Sequence, residues 1–419
     1  MPERSPDDSY DLVVFWKQND SGVYGRRSDM LIEAIARTDR VARIIHFDAP
    51  LGMSALERMS QSVGLDHDRL LFEATTRRVS GNADDESFFR YTFLFDDSQN
   101  DSDHGAPLRS DQFCDFIATV FERHGIGQRT VVFWLYPTHE DLPSIVDRFR
   151  PDVVVADVVD DNRTWFAADS VDREALTANY RAVLGRSDVV LTNCLATRDS
   201  FAQFHPAIEV LPNACEPPDE TDPPTIEPPA ELAGLSGPII GYVGNLSSRL
   251  DISLIEHVAA MRPRWNIVLI GSTHAGHEVL RLDLLPNVLM LGPRCHHDAR
   301  RFIRAFDVAI IPHLDNEMTR SMQPLKAFVY CSLGMPVVST NVANLDSLSD
   351  FITTASHPSD FIAAIDRALE RGRVPMSERL LQTLKENSWT VRAARALELV
   401  DGAMAGRGNV DRPQRLIVG

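Results

Sequence analysis

Short apolar runs rich in β-branched residues alternate with stretches whose apolar residues recur at helical spacing, and this alternation occurs twice along the chain. The first series reads as buried strands at Asp11–Phe15, Ala42–Phe47, Thr130–Leu135, Asp152–Val159 and Val189–Thr192, with helical patterns such as Ser28–Arg37, Ser110–Arg123 and Glu174–Gly185 between them. The second comprises Ile239–Val243, Asn266–Ile270, Val288–Leu291, Asp307–Ile311 and Pro336–Ser339. A strand that is apolar on both faces must be covered on both, and helices connecting parallel strands do this, so each series predicts a doubly wound parallel sheet. Between them, Asn213–Pro238 is rich in Pro, Glu and Asp, a composition that stiffens the backbone and builds no core. The expected layout is an N-terminal Rossmann-like domain over 1–212, a linker over 213–238, a second such domain over 239–387, a helix over 388–405 and a weakly apolar tail over 406–419. Leu70–Phe95 breaks the pattern and is expected to be an inserted hairpin or irregular excursion; the acidic run Asp96–Asp103 reads as a solvated loop.

At 419 residues the chain is long enough for two or three full cores. Its formal charge of −18 opposes a nucleic-acid backbone, and no Lys/Arg run forms a local basic stripe, so nucleic acid is not expected as a partner. Five scattered cysteines, with no Cys-x-x-Cys pair, argue against a disulfide framework and for a reducing cytoplasm. The polar, acidic start is wrong for a signal peptide, and no apolar run reaches the roughly 18 residues of a membrane span. Any membrane contact is expected to be peripheral, at the inner face.

Two turns carry residues suited to an anion. In Asp307–Thr340, which reads strand, loop, helix, strand, Pro324 suits the first helical position and Gly334 a left-handed helix end. Lys326 then lies in the first turn, where free N–H groups and the helix dipole already favour negative charge. It serves either a phosphate or nothing beyond an ordinary helix surface. In the second turn, strand Ile239–Val243 runs into Gly244, Asn245 and Arg249, with Asp251 as N-cap of the next helix. Arg249 offers a forked donor to phosphate oxygens, or is a solvated arginine beside a glycine turn. Neither half has Gly-x-Gly-x-x-Gly after its first strand, which disfavours a dinucleotide-binding dehydrogenase.

The order Gly-Tyr-Val-Gly-Asn-Leu…Arg-Leu-Asp251, Trp265-Asn-Ile-Val-Leu-Ile-Gly271, Leu285-Pro-Asn-Val…Leu291-Gly-Pro293, Phe306-Asp-Val-Ala-Ile-Ile-Pro312, Asn316-Glu-Met-Thr319, Pro324-Leu-Lys326 and Gly334-Met-Pro-Val-Val-Ser339 resembles the donor domain of GT-B glycosyltransferases of the glycosyltransferase-4 type. Bacterial polysaccharide and teichuronic-acid-type enzymes are the most similar. Trp134-Leu-Tyr-Pro137, Val158-Val-Asp-Asp161, Ser187-Asp-Val-Val-Leu-Thr192 and Leu211-Pro-Asn213 extend the resemblance more weakly over the first half. It implies two domains facing across a cleft, with C-terminal helices packing back toward the N-terminal domain. A nucleotide-diphosphate sugar is held by the second domain and a glycan or lipid-linked glycan acceptor by the first. Arg249 and Lys326 would stabilise the departing diphosphate, a task that needs no metal and no cofactor. Gly244, Asn245, Pro293, Arg294 and Ser321 would border the donor, and transfer would retain anomeric configuration.

The sequence departs from the family where a pair of glutamates eight residues apart is expected, since Ser321 and Val329 occupy those positions. Valine cannot accept bonds from ribose hydroxyls, so either another group replaces that contact, with Glu317 and Ser321 the candidates, or donor binding is weakened or lost. A non-catalytic glycan- or partner-binding protein and a nucleotide-sugar epimerase therefore stay open beside the transferase. In the first half, the loop Lys17–Arg27 brings Gly22, Gly25, Arg26 and Arg27 to a strand end, as ligand contacts or a glycine loop. Asp161, with Asp160, follows another strand and is either a catalytic carboxylate or a helix cap. His139 is a further strand-end candidate. Cys295-His296-His297 is too tightly spaced for a metal site, and Arg300, Arg301 and Arg304 read as a solvated helix face.

Overall fold

The computed structural model describes residues 9–61, 66–79, 82–83, 86–97, 110–218, 227–273, 277–373 and 375–406. Most of the acidic run Asp96–Asp103, the middle of the linker and the tail lie outside them. Contacts divide the chain into two units, one running to Leu211 and taken up again at Arg392, the other from Pro212 to Val391.

In the first unit the strands are β1 (Tyr10–Phe15), β2 (Val41–Phe47), β3 (Leu51–Gly52), β4 (Asn82–Ala83), β5 (Phe88–Tyr91), β6 (Leu94–Phe95), β7 (Val131–Leu135), β8 (Val153–Val158), β9 (Val189–Thr192) and β10 (Ile208–Val210). Eight form a sheet in the order β10-β9-β8-β7-β1-β2-β5-β4, while β3 and β6 pair separately. All sheet neighbours run parallel except β4 and β5. Every residue of β1 is buried, as a strand covered on both faces must be. One correction falls at Leu70–Phe95, much of which is ordered differently from a hairpin. Asp66–Val79 is a helix, whose buried Thr75 and Arg78 sit three residues apart on one face, and Phe88–Tyr91 joins the main sheet beside β2. Only the two-residue β4 pairs there as a hairpin does.

The second unit holds β11 (Ile239–Val243), β12 (Asn266–Ile270), β13 (Val288–Met290), β14 (Val308–Ile311), β15 (Val337–Ser339) and β16 (Thr353–Thr354). All pair in parallel in the order β13-β12-β11-β14-β15-β16. Successive residues alternate between two cores. Ile267, Leu269, Val308 and Ile310 face one, whereas Val268, Ile270, Ala309 and Ile311 face the other. Two-sided burial explains why these strands read as unbroken apolar runs. The sheet order reverses between β11 and β14, which makes their C-terminal ends the address at which open α/β sheets bind ligands. The helix Trp389–Gly406 starts in this unit and from Arg392 belongs to the first, where Asp401 pairs with Arg40. Among the described residues no helix is long and apolar enough to cross a membrane.

Candidate active site in the second unit

The loops after β11 and β14 are stitched together at the reversal point. Asp251 N–H donates to the Pro312 carbonyl at 2.9 Å, Leu314 N–H donates to the Arg249 carbonyl at 2.8 Å, and Leu250 and His313 form an antiparallel bridge. Asp251 also caps the helix Ile252–Met261, accepting from Leu254 N–H at 2.9 Å. Glycine makes the crowding possible. A Cβ on Gly271 would stand 1.9 Å from the Gly244 carbonyl oxygen, and one on Gly244 would stand 3.0 Å from both Cε and Nζ of Lys326. Gly244 has φ of 147°, which a side chain would also resist.

Lys326 comes from the helix Leu325–Ser332. Pro324 is its N-cap rather than its first residue, so Lys326 is second in the helix and still in the first turn. Gly334, at φ 66°, closes it as expected: Met335 N–H donates to the Tyr330 carbonyl and Gly334 N–H to that of Cys331. The Lys326 ammonium donates to the Tyr242 hydroxyl at 3.1 Å, lies 3.3 Å from Nε2 of His313 and stands 4.6 Å from the centre of the Tyr242 ring. His313 is buried and its pKa is held well below the usual histidine value, first by burial and then by Lys326 and Arg249. Burial pushes the Tyr242 phenol up, with Arg249 opposing. Arg249 and Lys326 thus act on one neutral imidazole, and the Arg249 Nε is buried without a hydrogen-bond partner.

Of the residues singled out in the sequence, Gly244, Arg249 and Lys326 come together here, and the Asn245 carbonyl accepts from the Tyr242 hydroxyl at 3.3 Å. Tyr242 and His313 were not singled out, and the signal for them was their place at the ends of β11 and β14. Pro293 is buried in the loop after β13, whose Gly292 carbonyl accepts from Gly271 N–H. Arg294 is engaged elsewhere, 3.4 Å from Glu231 and stacked over Phe302. Ser321 is buried and donates to the Met318 carbonyl at 2.8 Å. Val329 is half-buried against the core, with its carbonyl accepting from Leu333 N–H.

The first unit's candidates are tied into its own framework. Asp161 is buried, caps the turn Asn162–Trp165, and accepts from the Arg163 guanidinium at 2.6 Å and from the Ser200 hydroxyl at 2.8 Å. Asp160 accepts from Asn193 at 2.8 Å. Gly22, at φ 71°, donates its N–H to Asp29 at 2.6 Å. Arg26 pairs with Asp20 at 2.6 Å, Arg27 with buried Asp157 at 3.1 Å, and His139 lies 3.6 Å from Asp141. In the second unit Cys295 and His296 face different partners, Asp298 and Glu216, while His297 is exposed. Arg300 and Arg301 likewise turn to Glu216 and Asp298.

Residues 237–371 match the family described as Glycosyl transferases group 1. A Bacillus subtilis (strain 168) protein, TuaH, whose name assigns it to teichuronic acid biosynthesis as a glycosyltransferase, is 28% identical over 145 residues, 33% of this chain. The match spans about a third of that relative, 36% of its length. Among solved structures, sucrose-phosphate synthase from Thermosynechococcus elongatus superposes with a TM-score of 0.65 at 13% identity, covering 95% of this chain and all of that one. Anabaena HepE, solved in complex with UDP-glucose, gives 0.59 at 14% identity, covering 93% of this chain and 99% of its own. Residues 237–371 therefore form a glycosyl transferases group 1 domain, in a chain that has the GT-B fold of glycosyltransferases.

Proposed function

We propose that this protein is a glycosyltransferase that moves a sugar from a nucleotide-diphosphate donor onto an envelope or exopolysaccharide glycan, free or lipid-linked, with retention at the anomeric carbon. The observation that carries the reading is the convergence of Arg249 and Lys326 on the His313 imidazole, with Lys326 beside Gly244, at the switch point of a 3-2-1-4-5-6 sheet, the place where open α/β sheets bind ligands. Breaking the bond from sugar to diphosphate puts negative charge on the leaving oxygen. Two preorganised cations in a partly desolvated crevice stabilise that charge, and the unbonded Arg249 Nε has a donor to give. No metal is required for this step, and no cofactor. The acceptor comes from the resemblance to teichuronic-acid-type enzymes, and the cytoplasmic, membrane-peripheral location from the scattered cysteines and the lack of a long apolar run in the sequence.

Donor recognition at the ribose falls outside Val329, and Glu317 and Ser321 are the candidates to replace it as acceptors of the ribose hydroxyls. The decisive test is a thermal-shift screen of the full chain against UDP-, GDP-, ADP- and TDP-linked sugars, since a ligand that binds only the folded state raises its melting temperature. UDP-glucose comes first, because HepE binds it. One donor should raise the melting temperature and then be consumed only when a glycan acceptor is added. Consumption without acceptor, giving an altered donor or free sugar, would instead mean an epimerase. No shift with any donor would leave a non-catalytic binding protein.

A further inference from the structure

A lysine ammonium on a four-carbon stem has many rotamers, so a lysine that must meet a developing charge at one point needs something to hold it there. Around Lys326 that something is a pair of aromatic side chains rooted in the sheet. Tyr242 belongs to β11, and His313 follows β14, the strand on the other side of the reversal point. Both are buried. The His313 backbone is fixed by Thr340, whose Oγ1 accepts from His313 N–H at 3.1 Å and donates to its carbonyl at 2.7 Å. Tyr242 Oη accepts a hydrogen bond from Lys326 and donates its own to the Asn245 carbonyl, while Nε2 of a neutral His313 accepts a second hydrogen bond from the ammonium.

We propose that Tyr242 and His313 are positioning residues that fix the Lys326 ammonium beside Gly244, aimed at the donor's diphosphate. This rests on the diphosphate reading above and specifies how the site is built. The chemistry of the pair explains the choice of side chains. A carboxylate would orient the ammonium but cancel the charge that an anion is meant to meet, whereas a phenol and a neutral imidazole orient it and leave that charge in place. Arg249 acts on the same imidazole, and its positive charge helps to keep the ring unprotonated.

Calorimetric titration of the full chain with inorganic pyrophosphate near neutral pH tests this. His313→Phe keeps a buried ring but removes the acceptor, and should weaken binding about tenfold. His313→Gln, which restores an acceptor, should recover most of the loss at a matched melting temperature of the ligand-free protein. Tyr242→Phe removes only a hydroxyl and should weaken binding about threefold; it decides the question if His313→Phe does not fold. If Lys326→Ala abolishes binding while His313→Phe and Tyr242→Phe bind like wild type, the positioning role is wrong and the diphosphate reading survives. If Lys326→Ala itself binds like wild type, the diphosphate reading falls and the positioning role falls with it.

Discussion

The two units put arginines and lysines at the same topological address, the C-terminal ends of the central strands, and surround them with different groups. In the first unit the loop after β1 and the elements beneath it pair guanidinium with carboxylate, as in Arg26 with Asp20, Arg27 with Asp157, and Arg78 with Asp48 at 2.5 Å. Asp29, buried under the loop, accepts from the N–H groups of Gly22 and Arg26. In the second unit Lys326 is held by a phenol and an imidazole, and Arg249 stands beside them. Charge matched internally makes a scaffold. Charge oriented by neutral groups keeps its field for a ligand.

Breaking a matched pair should therefore cost stability, and this is the largest effect expected. Arg27→Met leaves Asp157 buried without its guanidinium and should lose about 3–5 kcal/mol. The readout is a chemical or thermal melt of the full chain, monitored for the first unit because two units need not unfold together. A double variant, Arg27→Met with Asp157→Leu, should recover much of the loss. A single variant as stable as wild type would erase the contrast between the units. Next in size, Lys326→Ala and Arg249→Ala should each lower turnover by about 10²–10³-fold, the typical cost of removing one preorganised charge-stabilising donor, without a matching fall in melting temperature. Full activity in both would remove the phosphate assignment.

A smaller, pH-dependent effect separates the units further. Burial raises the Asp48 carboxyl to about 6, against an ordinary 3.8, with Arg78 opposing. A raised acid pKa means that the folded protein holds the proton more tightly than the unfolded chain. The associated stability is complete below about 3.8 and is lost as pH climbs through about 6. The full swing is about 2–3 kcal/mol. Asp48→Asn should flatten the melting temperature over that window relative to wild type. His46, buried 3.8 Å from Asp48 and held neutral, contributes with the opposite sign, but it is present in both proteins and drops out of the difference. An unchanged profile in the Asn variant would show that Asp48 does not titrate there.

Parallel strands were legible because two-sided burial leaves long β-branched runs, and Asn266–Ile270 and Val189–Thr192 are observed with the bounds the sequence predicts. Leu70–Val79 was misread because Leu-Leu-Phe and the Thr pair raise strand propensity, while the fold buries only the helical face that carries Thr75 and Arg78. Gly244, Arg249 and Lys326 stood out through glycine spacing and a helix start. His313 and Tyr242 could not be weighted in the same way. A histidine after a strand and a tyrosine within one are ordinary core residues until cross-strand geometry brings both to one ammonium. Arg27 and Asp161 show the converse: each lies at a strand end with a chemistry-bearing group, and each is bonded inward, which only the partners Asp157 and Arg163 reveal.

The smallest expected effect tests how far the second unit's site follows the family's plan. Val329 sits one turn beyond Lys326 on the same helix, half-buried against the core, where a ribose-gripping glutamate is expected. Val329→Glu would set a carboxylate there. Its stem can cover the apolar surface the valine covers, with the charge kept toward the crevice. If the ribose pocket is otherwise preserved, the new acceptor should tighten the donor found in the thermal-shift screen by about three- to tenfold, since bonds from hydroxyls to a charged acceptor contribute about 1.5–3 kcal/mol less the cost of desolvating the carboxylate. The gain should appear in donor affinity and leave turnover at saturation nearly unchanged, because a ribose contact acts equally on the ground and transition states. A weaker donor affinity in Val329→Glu would mean that the carboxylate repels what the pocket holds. The diphosphate would then lie closer to this turn of the helix than the family's plan allows, and Lys326 would meet it from the other side.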